Sequence, residues 1–232
     1  MPLKNIADTS VIITAAGSGS RMNTSVNKIL LPLKGRPVLN WSLQIFDEQP
    51  RVREIVVAAG AKDMAAISAL IQGQHFAKPV KIIEGGATRA ESVKRALGSI
   101  SADSDLIAVH DGARPLLTVA ILEEVLQAAV GFDGAIVVVP VKETVKRVSE
   151  DVVFTLPRNS LYISQTPQVF PAKVLRRAYD RPDLTGFYDD SALVEDMGGK
   201  INIVCGSYEN IKLTTFEDFI LAGLLMDRRE KH

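Results

Sequence analysis

One cysteine, Cys205, occurs in 232 residues, so an internal disulfide is excluded and the chain fits a reducing compartment. Cys205 ends the apolar run Ile201–Cys205, where a buried strand position is expected rather than a nucleophile. No apolar run approaches the roughly 18 residues of a membrane span, and residues 1–10 lack the apolar core of a signal peptide. Neither sign of charge is in excess, because Lys+Arg and Asp+Glu both count 27. A balanced chain carries no global field that draws it to nucleic acid or to an anionic membrane. Neither is an expected partner, and any anion site must be built locally. There is no internal repeat and no low-complexity linker, so one domain over residues 1–232 and a cytoplasmic location are expected.

What the chain does have is alternation. Apolar runs of strand length at 11–14, 54–58, 80–83, 106–109, 135–139 and 201–205 are separated by amphipathic runs of helix length. The helical runs lie at 38–46, 63–72, 89–97, 119–130, 172–180 and 215–225. The strand runs are apolar on both sides of the period, as parallel strands covered on both faces require. Thr88-x-x-Glu91 and Thr214-x-x-Glu217 read as capping boxes, and Pro171 suits a first helical turn. The pattern predicts an α/β protein with three layers and a mostly parallel sheet. One stretch departs from it. Residues 141–157 carry two β-rich segments around Ser149-Glu150-Asp151, which predicts a protruding hairpin with one apolar face. An isolated two-stranded ribbon is marginal in water, so this arm must pack on its own domain or on a second subunit.

The most informative loop follows the first strand. It reads Thr14-Ala15-Ala16-Gly17-Ser18-Gly19-Ser20-Arg21-Met22, and a short polar run then ends in Asn27-Lys28. Small residues leave backbone N–H groups bare, which is what a phosphate chain needs, and Arg21 and Lys28 can reach the same phosphates. A dinucleotide fingerprint would need a third glycine near Met22 and an acidic residue about 20 positions on. A P-loop would need Gly-Lys-Ser/Thr, which is absent. A plain strand-to-helix turn with two surface cations is the bland alternative. The spacing of glycines and cations resembles the signature of nucleotidyltransferases that act on sugar phosphates.

Parallel α/β sheets bind ligands beyond the carboxyl ends of their strands. After residues 80–83 comes Glu84-Gly85-Gly86-Ala87-Thr88-Arg89, a second glycine turn with Ser92 one helical turn inside. Its N–H groups can read a base edge or a phosphate, or the glycines can serve a tight turn at positive φ. After residues 106–109 comes His110-Asp111-Gly112-Ala113-Arg114-Pro115. Asp111 suits a Mg²⁺ ligand, since Mg²⁺ takes one or two carboxylates with phosphate oxygens and water. Arg114 offers a fork to a second phosphate. His110 reads as a hydrogen-bonded structural imidazole rather than a general base, because a phosphate nucleophile needs no deprotonation near neutral pH. Thr144, Arg158, Thr166 and Lys212 add polar and cationic groups that spacing alone does not gather into one pocket, and Asp189-Asp190 reads as a helix start.

With these blocks in order, the chain resembles the 2-C-methyl-D-erythritol 4-phosphate cytidylyltransferase family. The blocks are A-A-G-S-G-S-R-M with N-K, G-G-x-x-R-x-x-S, V-H-D-G-A-R-P, P-V-K-E-T-V-K-R, P-R-N-S-L-Y with Q-T-P-Q, Y-D-D-S-A-L-V-E and E-N-I-K-L-T-T. The resemblance implies a Rossmann-like nucleotidyltransferase fold and a homodimer joined through the arm. It implies transfer of the cytidylyl group from CTP to methylerythritol phosphate with Mg²⁺. By position, Arg21 and Lys28 match the pair that stabilises the transition state. Ala15, Ala16, Gly17, Gly19, Lys28, Gly86, Ala87 and Ser92 match CTP-contacting positions, and Asp111 matches the metal ligand. Thr144, Arg158 and Lys212 match residues that hold the second substrate for attack, with Arg114 and Thr166 as lesser candidates. Ala87, Tyr188 and Ile29 depart from the residues common there, which are acidic, Thr and Gln. Ribitol 5-phosphate is the alternative acceptor on the same fold, and a nucleotide sensor without chemistry is the alternative from another class.

Overall fold

The computed structural model describes residues 8–17, 27–150 and 152–231. Strand β1 (Thr9–Ala15) is followed by a two-residue pair, β2 (Pro32–Leu33) and β3 (Arg36–Pro37), then α1 (Val38–Asp47), β4 (Val52–Ala59), α2 (Met64–Gln72) and β5 (Val80–Glu84). The chain continues through α3 (Arg89–Leu97), β6 (Leu106–Asp111), α4 (Val119–Ala128) and β7 (Gly134–Pro140). A hairpin follows, β8 (Lys146–Ser149) and β9 (Val152–Thr155). Then come β10 (Tyr162–Pro171), α5 (Ala172–Tyr179), α6 (Asp190–Asp196), β11 (Ile201–Cys205) and α7 (Phe216–Glu230).

Seven strands form one sheet in the order β11-β7-β10-β6-β1-β4-β5, parallel throughout except for β10, which runs antiparallel to both β6 and β7. The unbroken apolar strands demand cover on both faces, and they receive it. Val11 and Ile13 face a core closed by Leu39, Leu43 and Phe46 of α1, Ile67 of α2 and Leu122, Val125 and Leu126 of α4. Ile12 faces the opposite core, closed by Val93 and Ala96 of α3, Leu175 and Ala178 of α5 and Leu193 and Val194 of α6. A third apolar cluster seats α7 against Leu33, Val38, Leu116 and Leu213. The sheet therefore has three layers, as the alternation predicts. From β1 the chain winds through β4 and β5 to one side and then returns as β6 on the other, so β1 and β6 flank the switch point where such sheets bind ligands.

The arm forms a separate two-stranded sheet, paired from Lys146 with Thr155 to Ser149 with Val152. Val148, Val152, Val153 and Phe154 all stand exposed on it.

Four expectations are corrected. Gln165-Thr166-Pro167-Gln168, read as a polar turn, lies inside β10, a central strand. Its pairing with β7 shifts register between Gln165 and Gln168, and this irregularity accommodates a proline that cannot donate to the ladder. Cys205 is exposed rather than buried, because β11 is an edge strand whose Val204 points inward while Ile203 and Cys205 share the open face. The box at α7 falls one residue later than read: Thr215 is the cap, and the Asp218 carboxylate accepts its N–H at 2.8 Å. The same helix runs on to Glu230, past the expected end at 225.

Phe170 is fully buried and pairs in register with Ile107. Phe170→Ala is expected to lower the unfolding free energy by about 3–5 kcal/mol in urea titrations.

Candidate functional site

A cleft of about 350 Å³ opens at the carboxyl ends of β1, β5 and β6, lined by Ala15, Ala16 and Gly17, by Lys28, by the loop from Gly86 to Arg89, and by Asp111 and Lys212. Its charged lining among the described residues is Lys28, Arg89 and Lys212 against the one carboxylate of Asp111. An excess of cations suits a polyanionic ligand.

The two glycine turns meet here. A Cβ on Gly85 would lie 2.8 Å from both the Ala16 Cβ and the Ser92 Oγ, so glycine is what lets the second loop close against the first. Neither Gly85 nor Gly86 has positive φ, so the glycines serve this close approach and not a tight turn at positive φ. Ser92, one turn into α3, shapes the loop: its Oγ accepts the Gly86 N–H at 3.0 Å and donates to the Thr88 carbonyl at 2.9 Å. The Glu91 carboxylate accepts the Ala87 N–H at 2.8 Å. On the other side, Asn27 is buried and fixes the approach to Lys28. Its Nδ2 donates to the Ala15 carbonyl at 3.2 Å and to Asp63 Oδ2 at 2.8 Å, and its Oδ1 accepts the Ile29 N–H.

Asp111 is the hub. Its Oδ2 lies 2.8 Å from Lys212 Nζ and 3.6 Å from Arg114 Nε. Its Oδ1 lies 3.3 Å from Arg89 Nε and accepts from Thr14 Oγ1 at 3.2 Å. Burial alone would raise its pKa, but the charges of Arg89, Lys212 and Arg114 outweigh burial and hold the carboxyl well below the usual carboxylate range. Asp111 is therefore held as a carboxylate near neutral pH. The Arg89 guanidinium also donates through Nη2 to Asp190 at 2.7 Å. Burial would lower its pKa, and Asp190 and Asp111 together raise it above the ordinary value.

Behind this layer, His110 is fully buried, with Nδ1 3.1 Å from Thr166 Oγ1 and Nε2 3.2 Å from the Arg114 carbonyl. Its ring packs edge-on against Phe46. Burial pushes its pKa down to about 4, so it is neutral near pH 7. This is the structural imidazole expected from the sequence.

A sequence profile of the 2-C-methyl-D-erythritol 4-phosphate cytidylyltransferase family matches residues 9–228. The chain belongs to this family. The protein of that name from Symbiobacterium thermophilum is 46% identical over 226 residues, covering 96% of this chain and 94% of that protein. The one from Caldanaerobacter subterraneus subsp. tengcongensis is 40% identical over 222 residues, covering 94% and 98%. The crystal structure of 4-diphosphocytidyl-2C-methyl-D-erythritol synthase from Anaerococcus prevotii superposes with a TM-score of 0.85 at 30% identity, over 96% of this chain and all of that one.

Of the positions that carry the family's motifs, Ala15, Ala16, Gly17, Lys28, Gly86, Ala87, Ser92, Asp111 and Lys212 come together in the cleft. Gly19 and Arg21 lie outside the described residues. Arg114 and Thr166 stand one layer back. Arg114 is spent on Asp111 and on the Asn210 carbonyl, at 2.7 Å from Nη1, and Thr166 accepts the Asp111 N–H at 3.0 Å. Both brace Asp111 rather than line the cleft. Thr144 and Arg158 do not line it either. They lie on the exposed arm and its foot, where Arg158 Nη1 donates to the Lys142 carbonyl. Sequence reasoning misses Arg89 and Asn27. A signal for Arg89 exists: a cation at the first position of α3 opposes the helix dipole, so carboxylates must hold it there.

Neutral His110 gives the fold a pH signature. Above about pH 6.5 the group is neutral folded or unfolded. Below that, the unfolded chain takes up a proton that the folded chain refuses, so stability falls with pH until about 4. The expected loss across this window is about 3 kcal/mol, and urea titrations of His110→Gln should lack that part of the slope.

Proposed function

We propose that the cleft transfers the cytidylyl group from CTP to 2-C-methyl-D-erythritol 4-phosphate, giving 4-diphosphocytidyl-2-C-methyl-D-erythritol and pyrophosphate. The observation that carries this reading is the convergence of the two glycine loops with Lys28, Arg89 and Lys212 around the Asp111 carboxylate at the switch point. An oxygen of the methylerythritol phosphate attacks the α-phosphorus of CTP, the α–β bridging bond breaks, and its electron pair leaves with pyrophosphate. The nucleophile is already anionic, so no general base is needed. The chain's contribution is positioning and charge stabilisation. The loops of Ala15–Gly17 and Gly86–Ala87 hold the nucleotide. Lys28 faces the charge that builds on the α-phosphate, a role the family pattern also gives to Arg21. Lys212 holds the acceptor phosphate.

The donor set fits Mg²⁺. Asp111 presents a hard oxygen donor lining the cleft, its carboxyl held in the charged form by the cations around it, and Mg²⁺ needs only one or two carboxylates when phosphates and water supply the rest. Bound there, Mg²⁺ would neutralise triphosphate charge. Thr144 and Arg158 enter the reading through a second copy of the chain, whose arm covers its exposed Val148, Val153 and Phe154 in a homodimer and brings these two residues to the neighbouring cleft. The lone cysteine makes the cytoplasm the proposed location.

Pyrophosphate release with CTP and Mg²⁺, measured with methylerythritol phosphate and ribitol 5-phosphate in parallel, tests the assignment. Release with the first acceptor alone is expected, and release with only the second, or with neither, would refute it. Lys28→Ala should lower kcat about 10²–10³-fold, and a folded variant with near-normal kcat would remove Lys28 from the mechanism.

A further inference from the structure

Asp190 is a fully buried carboxylate that no step of the reaction uses and that does not line the cleft. Its Oδ2 accepts Arg89 Nη2 at 2.7 Å and its Oδ1 accepts the Tyr179 hydroxyl at 2.5 Å. Its N–H donates to Gln168 Oε1 at 3.0 Å, and the Gln168 amide in turn donates to Ser164 and Asp189. Residues of β10, α5 and α6 thus fix one carboxylate in one place. The guanidinium it holds is also the one that reaches Asp111, but only with Nε and at 3.3 Å. Arginine ordinarily meets a carboxylate with two parallel N–H groups of its fork. Here the shorter bond goes to Asp190 and the longer one to Asp111.

We propose that Asp190 is a positioning residue that divides the Arg89 guanidinium between two carboxylates and so keeps Asp111 open to the metal–triphosphate. With Asp190 absent, the fork is free to close on Asp111 with two N–H groups. Asp111 already has Lys212 on its other oxygen at 2.8 Å. Oδ1 carries only the long Arg89 Nε contact at 3.3 Å and the Thr14 hydroxyl at 3.2 Å, and a second, shorter guanidinium N–H there would make it a poorer ligand for a divalent cation. Tyr179 acts one step further back, by satisfying the Asp190 oxygen that Arg89 does not use. This rests on the reading of Asp111 as the Mg²⁺ ligand.

Calorimetric titration of CTP at a series of Mg²⁺ concentrations, without the acceptor substrate, tests it. Asp190→Asn should raise the Mg²⁺ concentration for half-maximal CTP binding about 10–100-fold, the effect usual for residues that orient a metal ligand. Tyr179→Phe should shift it in the same direction by less. In Arg89→Gln the added Asp190→Asn change should produce no further shift, because Asp190 acts through Arg89. Thermal melts report whether each variant is folded, and if Asp190→Asn is not, Tyr179→Phe decides. Unchanged Mg²⁺ dependence in the folded variants, or additive shifts in the double variant, would overturn the role of Asp190. Loss of any Mg²⁺ effect in the wild type would instead overturn the reading of Asp111, and this proposal with it.

Discussion

A buried carboxylate among cations is the constraint on which the site depends. Asp111 ends a central strand, where it is almost wholly removed from water. Leaving such a group unpaired would cost several kcal/mol, so partners must be brought to it. They come from separate parts of the chain: Arg89 from the start of α3, Arg114 from the turn after β6, and Lys212 from the loop before α7. Each partner carries its own segment to the same point. Arg114 also fixes the Asn210 carbonyl, and Asp218 at the start of α7 takes the N–H groups of Thr214 and Thr215, so the loop bearing Lys212 is held at both ends. The requirement to satisfy one charge thus assembles the rim of the cleft.

Much of the architecture is legible in the sequence because its cause is local. Parallel strands covered on both faces leave unbroken apolar runs, and five of the six such runs read from the sequence lie within longer strands of the sheet, while Ile201–Cys205 is one to the residue. The first part of the glycine loop, Ala15, Ala16 and Gly17, lies at the cleft, as its small residues predict, while residues 18–26 lie outside the described residues. What escapes has non-local causes. The polar tetrapeptide in β10 looks like a turn because its side chains are satisfied mainly by distant partners: Gln165 by the Ser207 carbonyl, Thr166 by the Asp111 N–H, Gln168 by the N–H groups of Asp190 and Ser191. Arg89 escapes for the same reason, as both of its carboxylates are far away in sequence. Exposure of Cys205 depends on which strand ends at the sheet edge, and strand order is not written in a strand's own residues.

Two of the three departures from the family pattern find local accommodation. Ile29 is buried in the core beside α1, where a polar side chain would need partners. Ala87 has no acidic side chain of its own, but the Glu91 carboxylate reaches its N–H and supplies an acidic group to that loop. Tyr188 is almost wholly exposed just before the cap of α6, and nothing in the structure explains it.

The measurement that bears most directly on the central role of Asp111 is a pair of CTP titrations, with and without Mg²⁺, on the wild type and on Asp111→Asn. The wild type should bind CTP more tightly with Mg²⁺. The variant should bind with no Mg²⁺ effect, because Lys28, Arg89 and Lys212 remain to attract the triphosphate while the one carboxylate that lines the cleft among the described residues is gone. A variant that keeps the full Mg²⁺ effect would contradict this and place the metal on other ligands.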